Sequence, residues 1–480
     1  MSIGNKMFKG AIWSTVERLS VQLVSFALTI VLARLLTPNE YGTVGLLIVF
    51  ISFSQVFIDS GFSKALIQKQ NRTNEDISTV FYFNLLVALI CYLLLWVCSP
   101  YISNFYNIPK LDNLLKVLSI SLFFNALFAI PNTLLSIEMN FKSITKVNFT
   151  STVISGVIAI YLAYKDFGEW ALVYQTLIKS MLMALFFWFA TKWKPILIFS
   201  KESFKSLFGF GSKLLVNSIM NNLVNNFASL FIAKIINAQQ LGFYTRGTQN
   251  ADTAFSTINS IIDNVLLPGL APLQHQIEQL IDGTKKIIKT AALLVIPIFF
   301  GLTIISKPLV LLLLTEKWAP AIPIMQLICL SRLITIISGI NINLLYVLGR
   351  SDLALKQQYF KIAIRIVLLF VALKYGIVWI AAAELFSTII HFFINTYYPG
   401  KMMKYGAKDQ IKDIFPILIS GLVMAIPGLL IVYFTTFSEI IKIICTITAC
   451  LITYYFMIRI LKIEEYKMLI NRISSLIKKQ

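Results

Sequence analysis

Apolar stretches of about 20 residues recur along this chain from one end to the other, and about 20 residues is what a helix needs to cross a hydrocarbon core about 30 Å thick. A segment in hydrocarbon has no water to satisfy its backbone, so it must be a helix or part of a closed barrel. Barrel strands alternate polar and apolar residues, whereas residues 83–97 and 291–305 are apolar almost without a break. The expected fold is therefore an all-α, polytopic membrane protein. Charge agrees: only 13% of the 480 residues are charged, about half the share in soluble domains.

About fourteen spans are expected, near 11–33, 41–62, 79–99, 113–136, 145–164, 170–191, 208–233, 242–270, 288–305, 319–347, 358–375, 377–399, 414–435 and 440–461. The net charge of +20 does not point to nucleic acid, because the basic residues sit in short loops between apolar spans. With the N-terminus inside, inner loops carry about threefold more Lys and Arg than outer ones, as the positive-inside bias requires. Both termini are thus expected to be cytoplasmic. The tail spaces Ile463, Tyr466, Leu469, Ile470, Ile473, Leu476 and Ile477 helically among basic residues. It reads equally as a helix lying on an anionic leaflet or as an ordinary solvated helix, and Leu273–Ile281 reads the same way. The five cysteines fall in apolar spans or at their ends and read as small core residues. The first apolar span lacks a small-residue cleavage site, so no cleavable signal peptide is expected.

The chain repeats itself. Residues 32–42 (LARLLTPNEYG) match residues 232–242 (IAKIINAQQLG) at an offset of 200. Each copy ends an apolar span in Ala plus a base, passes through a short polar turn and opens the next span with Gly. Residues 1–200 and 201–400 are therefore expected to be two pseudo-symmetric six-helix lobes in parallel orientation. Residues 401–480 would add two further transmembrane helices and the amphipathic tail. Transporters commonly bind substrate between such halves.

Enzymatic signatures are missing. No Gly-Lys-Ser/Thr, Asp-x-Asp or His-Glu-x-x-His occurs, which argues against ATP hydrolysis, metal-dependent sugar transfer and zinc chemistry, and no cofactor is expected. Polar residues inside spans are the positive signal. Arg18, Gln22 and Ser25 share a face of span 1, with Glu17 adjacent; span 2 carries Ser52, Gln55 and Asp59. Span 7 carries Asn217, Asn221 and Asn225, flanked by Asn222 and Asn226, and span 8 carries Arg246, Gln249, Asn250, Asp252, Asn259 and Asp263. Helices this polar must face other helices or a wet cavity, since unsatisfied polar groups in lipid cost several kcal/mol each. Spans 1–2 and 7–8 are equivalent under the repeat, which would place them around one central cavity. The alternative is that Asn and Ser glue helices together, and that Arg18 pairs with Glu17 or snorkels. Arg332 and Glu384 are sparse intramembrane charges and functional candidates by default. Lys361 and Arg365 could equally contact lipid phosphates.

Several stretches resemble one family. They are Trp13 with Glu17-Arg18, the 32–42 motif, residues 59–68 (DSGFSKALIQ), residues 78–82 (STVFY), residues 139–142 (MNFK), residues 168–173 (GEWALV), and Lys307-Pro308 with residues 316–318 (EKW). In this order they resemble the bacterial polysaccharide exporters of the colanic acid exporter and Wzx type, in the multidrug/oligosaccharidyl-lipid/polysaccharide exporter superfamily. The resemblance implies a flippase for undecaprenyl-diphosphate-linked oligosaccharide in the bacterial inner membrane, working by alternating access around a cationic cavity, with no enzymatic chemistry. It implies that Arg18, and more loosely Arg246, hold the diphosphate, and that the last two spans form a lipid groove. With Lys213 added as a third cation, Gln22, Ser25, Asn217, Asn221, Asn225, Asn250 and Asn259 would bond the sugar hydroxyls, and Asp59, Asp252 or Asp263 would carry a coupling cation or proton. Membrane lipids, a polysaccharide polymerase and glycosyltransferases are the expected partners. A cation-coupled multidrug exporter and an integral-membrane polysaccharide polymerase or ligase are the alternatives; the short outer loops leave little room for the latter's catalytic groups.

Overall fold

Helices make up every regular element among the described residues of this computed structural model, which are 20–59, 61–463, 465 and 466. They are α1 (Ser20–Leu35), α2 (Pro38–Asp59), α3 (Phe62–Gln68), α4 (Asn74–Tyr106), α5 (Leu111–Ser119), α6 (Ser121–Ile137), α7 (Phe141–Tyr164) and α8 (Glu169–Ala190). There follow α9 (Lys201–Phe231), α10 (Ala238–Leu270), α11 (Ile277–Leu314), α12 (Ile322–Val347), α13 (Ser351–Leu373), α14 (Ile377–Met403), α15 (Ala407–Phe434) and α16 (Glu439–Ile460). Among the described residues, 11 helical segments are long and apolar enough to cross a membrane. The chain is a multi-pass, all-α membrane protein. The other three expected spans coincide with α1, α10 and α13, whose described residues are too few or too polar for that criterion.

Two boundaries differ from the hydropathy reading. The fourth span is two helices, α5 and α6, with a break at Ile120. The ninth begins at Ile277, because the segment expected to lie apart as an amphipathic helix runs straight into α11. Hydrogen bonding continues through Lys285, Lys286 and Lys289 although hydropathy stops there. The expected amphipathic tail beyond Tyr466 lies outside the described residues.

The chain divides into two compact units, Met1–Gly242 and Phe243–Gln480. In the first, α8 packs on α6 and α7, and α2 packs on α9. Phe62, Leu66, Phe81 and Ile130 form a buried cluster against Trp188 and Trp193. Trp188 Nε1 donates to Leu127 O at 3.1 Å, so the indole buries without leaving its donor unmade. The α8–α9 linker is strapped to α4: Ile196 N donates to Ser78 Oγ at 3.1 Å and Ser200 N to Thr79 Oγ1 at 3.0 Å.

Both copies of the repeated motif start a helix in the same way. Glu40 N lies 3.4 Å from Thr37 Oγ1, and Gln240 N donates to Asn237 Oδ1 at 2.8 Å. Thr and Asn are favoured caps because their side chains satisfy an orphan N–H of the first turn. The two helix starts then cross. A Cβ on Gly42 would lie 1.6 Å from Ala238 O, and one on Gly242 would lie 1.9 Å from Pro38 O. Only glycine allows that approach.

In the second unit, α12 packs most extensively on α14, and α11 is flanked by α12, α15 and α16. Polar pairs recur along the α12–α14 seam at a seven-residue interval: Ser331 Oγ and Thr388 Oγ1 at 2.8 Å, then Asn395 Nδ2 to Ser338 Oγ at 2.7 Å. Asn341 and Gln410 exchange amide bonds of 3.0 and 2.7 Å. These are helix glue of the kind small polar residues supply in membranes.

Candidate functional site

A charged quartet lies inside the second unit, assembled from four helices. Arg332 on α12 bridges two carboxylates: its Nε is 2.6 Å from Asp252 Oδ1 on α10, and its Nη1 is 3.3 Å from Glu384 Oε1 on α14. Arg365 on α13 grips the same glutamate twice, with Nε 2.9 Å from Oε2 and Nη2 2.9 Å from Oε1. Two guanidinium forks can share one carboxylate because it presents about four lone-pair sites. Glu384 is the enclosed member at 11% side-chain exposure, and Asp252 the open one at 45%. Phe255 stacks on the Arg332 guanidinium at 5.5 Å, and Tyr244 is buried on α10. His391, two turns beyond Glu384, has Nε2 3.1 Å from both Ser387 Oγ and Lys361 O, and Lys361 is buried. Charges at membrane depth are costly and are retained when paired or functional; this set is both paired and open at one end.

The quartet unites Arg332, Glu384 and Asp252, which the sequence offers only as separate candidates. Of the two readings the sequence leaves open for Arg365, the structure shows the inward one: its guanidinium turns to Glu384. Tyr244 was not anticipated, since a lone tyrosine carries no signal of its neighbours on other helices.

The remaining candidates scatter. Arg18 lies outside the described residues, as do the side chains of Lys213, Asn217 and Asp263. Gln22 is exposed and Ser25 half-buried on α1. On α9 the asparagines divide between two faces. Asn222 Nδ2 lies 3.4 Å from Ser52 O, and Asn226 Nδ2 donates to Asn222 O at 3.0 Å, so this pair glues α9 to α2. Asn221 and Asn225 are exposed. Asp59 accepts from Gln55 Nε2 at 3.2 Å, and Gln55 Oε1 accepts from Asn125 at 2.9 Å. Arg246 is buried: Nη1 donates to Gln249 Oε1 at 2.6 Å and the guanidinium sits 5.9 Å from the Trp318 ring centre. Asn250 Nδ2 faces Met325 Sδ at 3.9 Å, and Asn259 is half-buried. No group of three or more His, Cys, Asp or Glu residues that could hold a metal ion occurs among the described residues.

The second unit also carries a long apolar groove of about 880 Å³, walled by α11 and α16 and reached by Ala254 of α10 and Met424 of α15. Gly301 lies in its lining, and Leu294, Ile298 and Leu451 present exposed side chains to it. Tyr454 holds the two walls together by donating to Leu293 O at 2.9 Å. At one end the start of the tail closes in. Tyr466 lines the groove and packs on Tyr455, and Lys289 pairs with Glu465 at 3.3 Å.

Known proteins share this sequence and architecture. A family model described as "Polysaccharide biosynthesis protein" matches residues 31–323. The teichuronic acid biosynthesis protein TuaB of Bacillus subtilis (strain 168) is 25% identical over 428 residues, 88% of each chain. The lipopolysaccharide biosynthesis protein WzxC of Escherichia coli (strain K12) is 27% identical over 369 residues, 75% of this chain and 74% of that one. Among solved structures, the lipid II flippase MurJ in an inward closed conformation aligns with a TM-score of 0.73 at 16% identity, covering 95% of this chain and 99% of that one. At that identity the likeness is one of fold.

Proposed function

We propose that this chain, which belongs to the polysaccharide biosynthesis protein family, is a flippase that carries undecaprenyl-diphosphate-linked oligosaccharide across the bacterial inner membrane by alternating access, without enzymatic chemistry. The observation that carries this reading is the apolar groove of about 880 Å³ on α11 and α16. An isoprenoid tail is too long and too apolar to cross with the sugars through water. It can stay in lipid while the polar head moves, provided the protein offers a greasy furrow beside the path. Each buried CH2 is worth about 0.8 kcal/mol, so a few turns of tail suffice to hold the substrate in register.

The head needs different chemistry. Arg18, Lys213 and Arg246 supply the cations for a diphosphate, and arginine is the stronger clamp because its planar fork bonds two phosphate oxygens. Arg246 must turn away from Trp318 and Gln249 to do so. Gln22, Ser25, Asn217, Asn221, Asn225, Asn250 and Asn259 offer amides and hydroxyls to the sugars. Of the two coupling candidates whose side chains are described, Asp252 is the better placed, since its carboxylate is open on one side and bound to Arg332 on the other. A proton on Asp252 would cancel its hold on Arg332, leave both guanidinium groups to Glu384, and remove that tie between α10 and α12.

The test is a reconstituted flipping assay with lipid-linked oligosaccharide. Gly301→Trp, which fills the groove, should abolish flipping; Arg18→Ala and Arg246→Ala should reduce it strongly at normal abundance, with Arg18→Lys only a partial rescue. A protein that moves a soluble cationic dye, and flips the glycolipid no faster with the groove open than filled, is a drug exporter instead.

A further inference from the structure

A second, smaller groove of about 380 Å³ lies between α13 and α14, and shares no lining residue with the first. Its wall is mostly apolar, with Phe360 on one side and Phe393 on the other, each more than half exposed. Its polar lining is Lys356, Gln357, Tyr397 and Tyr398, with no carboxylate. All four belong to the end of the helix pair where Arg350 precedes α13 and Lys401 stands one turn beyond Tyr397. Tyrosines with lysines at such a level mark the boundary between hydrocarbon and headgroups.

Gln357 is the second, independent observation. It is 3% exposed, its Nε2 donates to Ile394 O, and its buried Oε1 has no partner. The Ile394 bond fixes the amide, so the vacant atom is an acceptor. A buried acceptor left unmade costs about 1–3 kcal/mol, and it asks for a donor that the neighbouring helices do not supply.

We infer that this groove binds one anionic glycerophospholipid, phosphatidylglycerol in kind, with its phosphate on Lys356, a headgroup hydroxyl on Gln357 Oε1 and an acyl chain between Phe360 and Phe393. Each half of the chemistry narrows the occupant. A bare phosphate satisfies Lys356 but brings nothing to cover the apolar wall between Phe360 and Phe393. A choline headgroup has no donor for Gln357. An ethanolamine headgroup has one, but it is cationic and would sit among Lys356 and Lys401 with no carboxylate in the lining to offset it. A neutral hydroxyl on an anionic lipid meets all three conditions. No residue of the quartet or of the larger groove takes part in this lipid site.

The experiment uses the purified, delipidated full-length protein and measures lipid binding by native mass spectrometry. Phosphatidylglycerol should bind about tenfold or more tighter than phosphatidylcholine or phosphatidylethanolamine, the ratio expected for one charge-assisted bond. Lys356→Gln and Gln357→Leu should each erase most of that preference. Glycerol 3-phosphate should not compete, which separates a lipid site from a phosphate site. Equal binding of the three lipids by the wild type overturns the inference, as does undiminished preference in Lys356→Gln. Lys356 is exposed, so that variant keeps the test alive should Gln357→Leu fail to fold.

Discussion

Alanine at Gly42 or Gly242 tests how tightly the two copies of the repeated motif are locked. At Gly42 the new methyl would sit 1.6 Å from Ala238 O and 2.5 Å from Ala238 C; at Gly242 it would sit 1.9 Å from Pro38 O. The obstacle in each case is backbone, which has no rotamer to change. An ordinary carbon–oxygen contact needs about 3.4 Å, so α2 and α10 must part by roughly 1.5 Å at the crossing, and overpacking on that scale costs about 1–3 kcal/mol or more. Each single substitution should therefore lower the unfolding temperature of the purified protein in detergent by several degrees. The double variant should lose much less than the sum, because the first methyl opens space that the second occupies and neighbouring sites couple. Tryptophan fluorescence during a thermal ramp reads all three. Wild-type stability in either single variant, or strict additivity in the double, refutes the close crossing.

Three further outcomes follow from the structure. Glu384→Gln leaves Arg332 and Arg365 without their shared counter-charge and should destabilise the protein by about 3–5 kcal/mol; the same thermal ramp checks it, and Glu384→Asp should recover part of the loss. Asp252→Asn mimics the protonated carboxylate, so flipping in proteoliposomes should lose its dependence on a pH gradient while abundance stays normal; an unchanged pH dependence excludes Asp252 as the coupling group. Tyr405, between α14 and α15, is buried and donates to Asp413 Oδ2 at 2.9 Å, and burial together with that carboxylate pushes its pKa above the ordinary tyrosine value. The folded state thus keeps the proton to higher pH than the unfolded chain. Stability should be full below about pH 10 and fall above it by about 1.4 kcal/mol per unit, and Tyr405→Phe should remove that share of the slope in alkaline unfolding curves.

The repeat and the membrane class were legible because both are local patterns. The matched polar turns of residues 32–42 and 232–242 and the glycines at their ends, Gly42 and Gly242, showed in the register alone. What sequence could not supply was pairing. Arg332 lies 80 residues from Asp252 and 52 from Glu384, and no helical period relates such distances. Arg365 read equally as a lipid contact because it stands near one end of its helix; only α14 beside it reveals its partner. The asparagines of α9 looked like one polar stripe, yet Asn222 and Asn226 bind the helix to α2 while Asn221 and Asn225 stay exposed. The apolar groove was expected only from the family resemblance, which put it on the last two spans; no lining residue announced it, because a leucine that lines a furrow and one that merely meets lipid are the same letter. The candidate site was therefore half visible: its charged residues could be named, their assembly could not.

The quartet has an electrical consequence. Asp252 and Glu384 balance Arg332 and Arg365, so the assembled group carries no net charge. Displacing it along the membrane normal does no work against the transmembrane potential, whereas one uncompensated charge would exchange about 2.3 kcal/mol per 100 mV with the field. Loading a proton onto Asp252 turns the neutral group into a monocation. A group so charged would have a voltage sensitivity that the neutral quartet lacks.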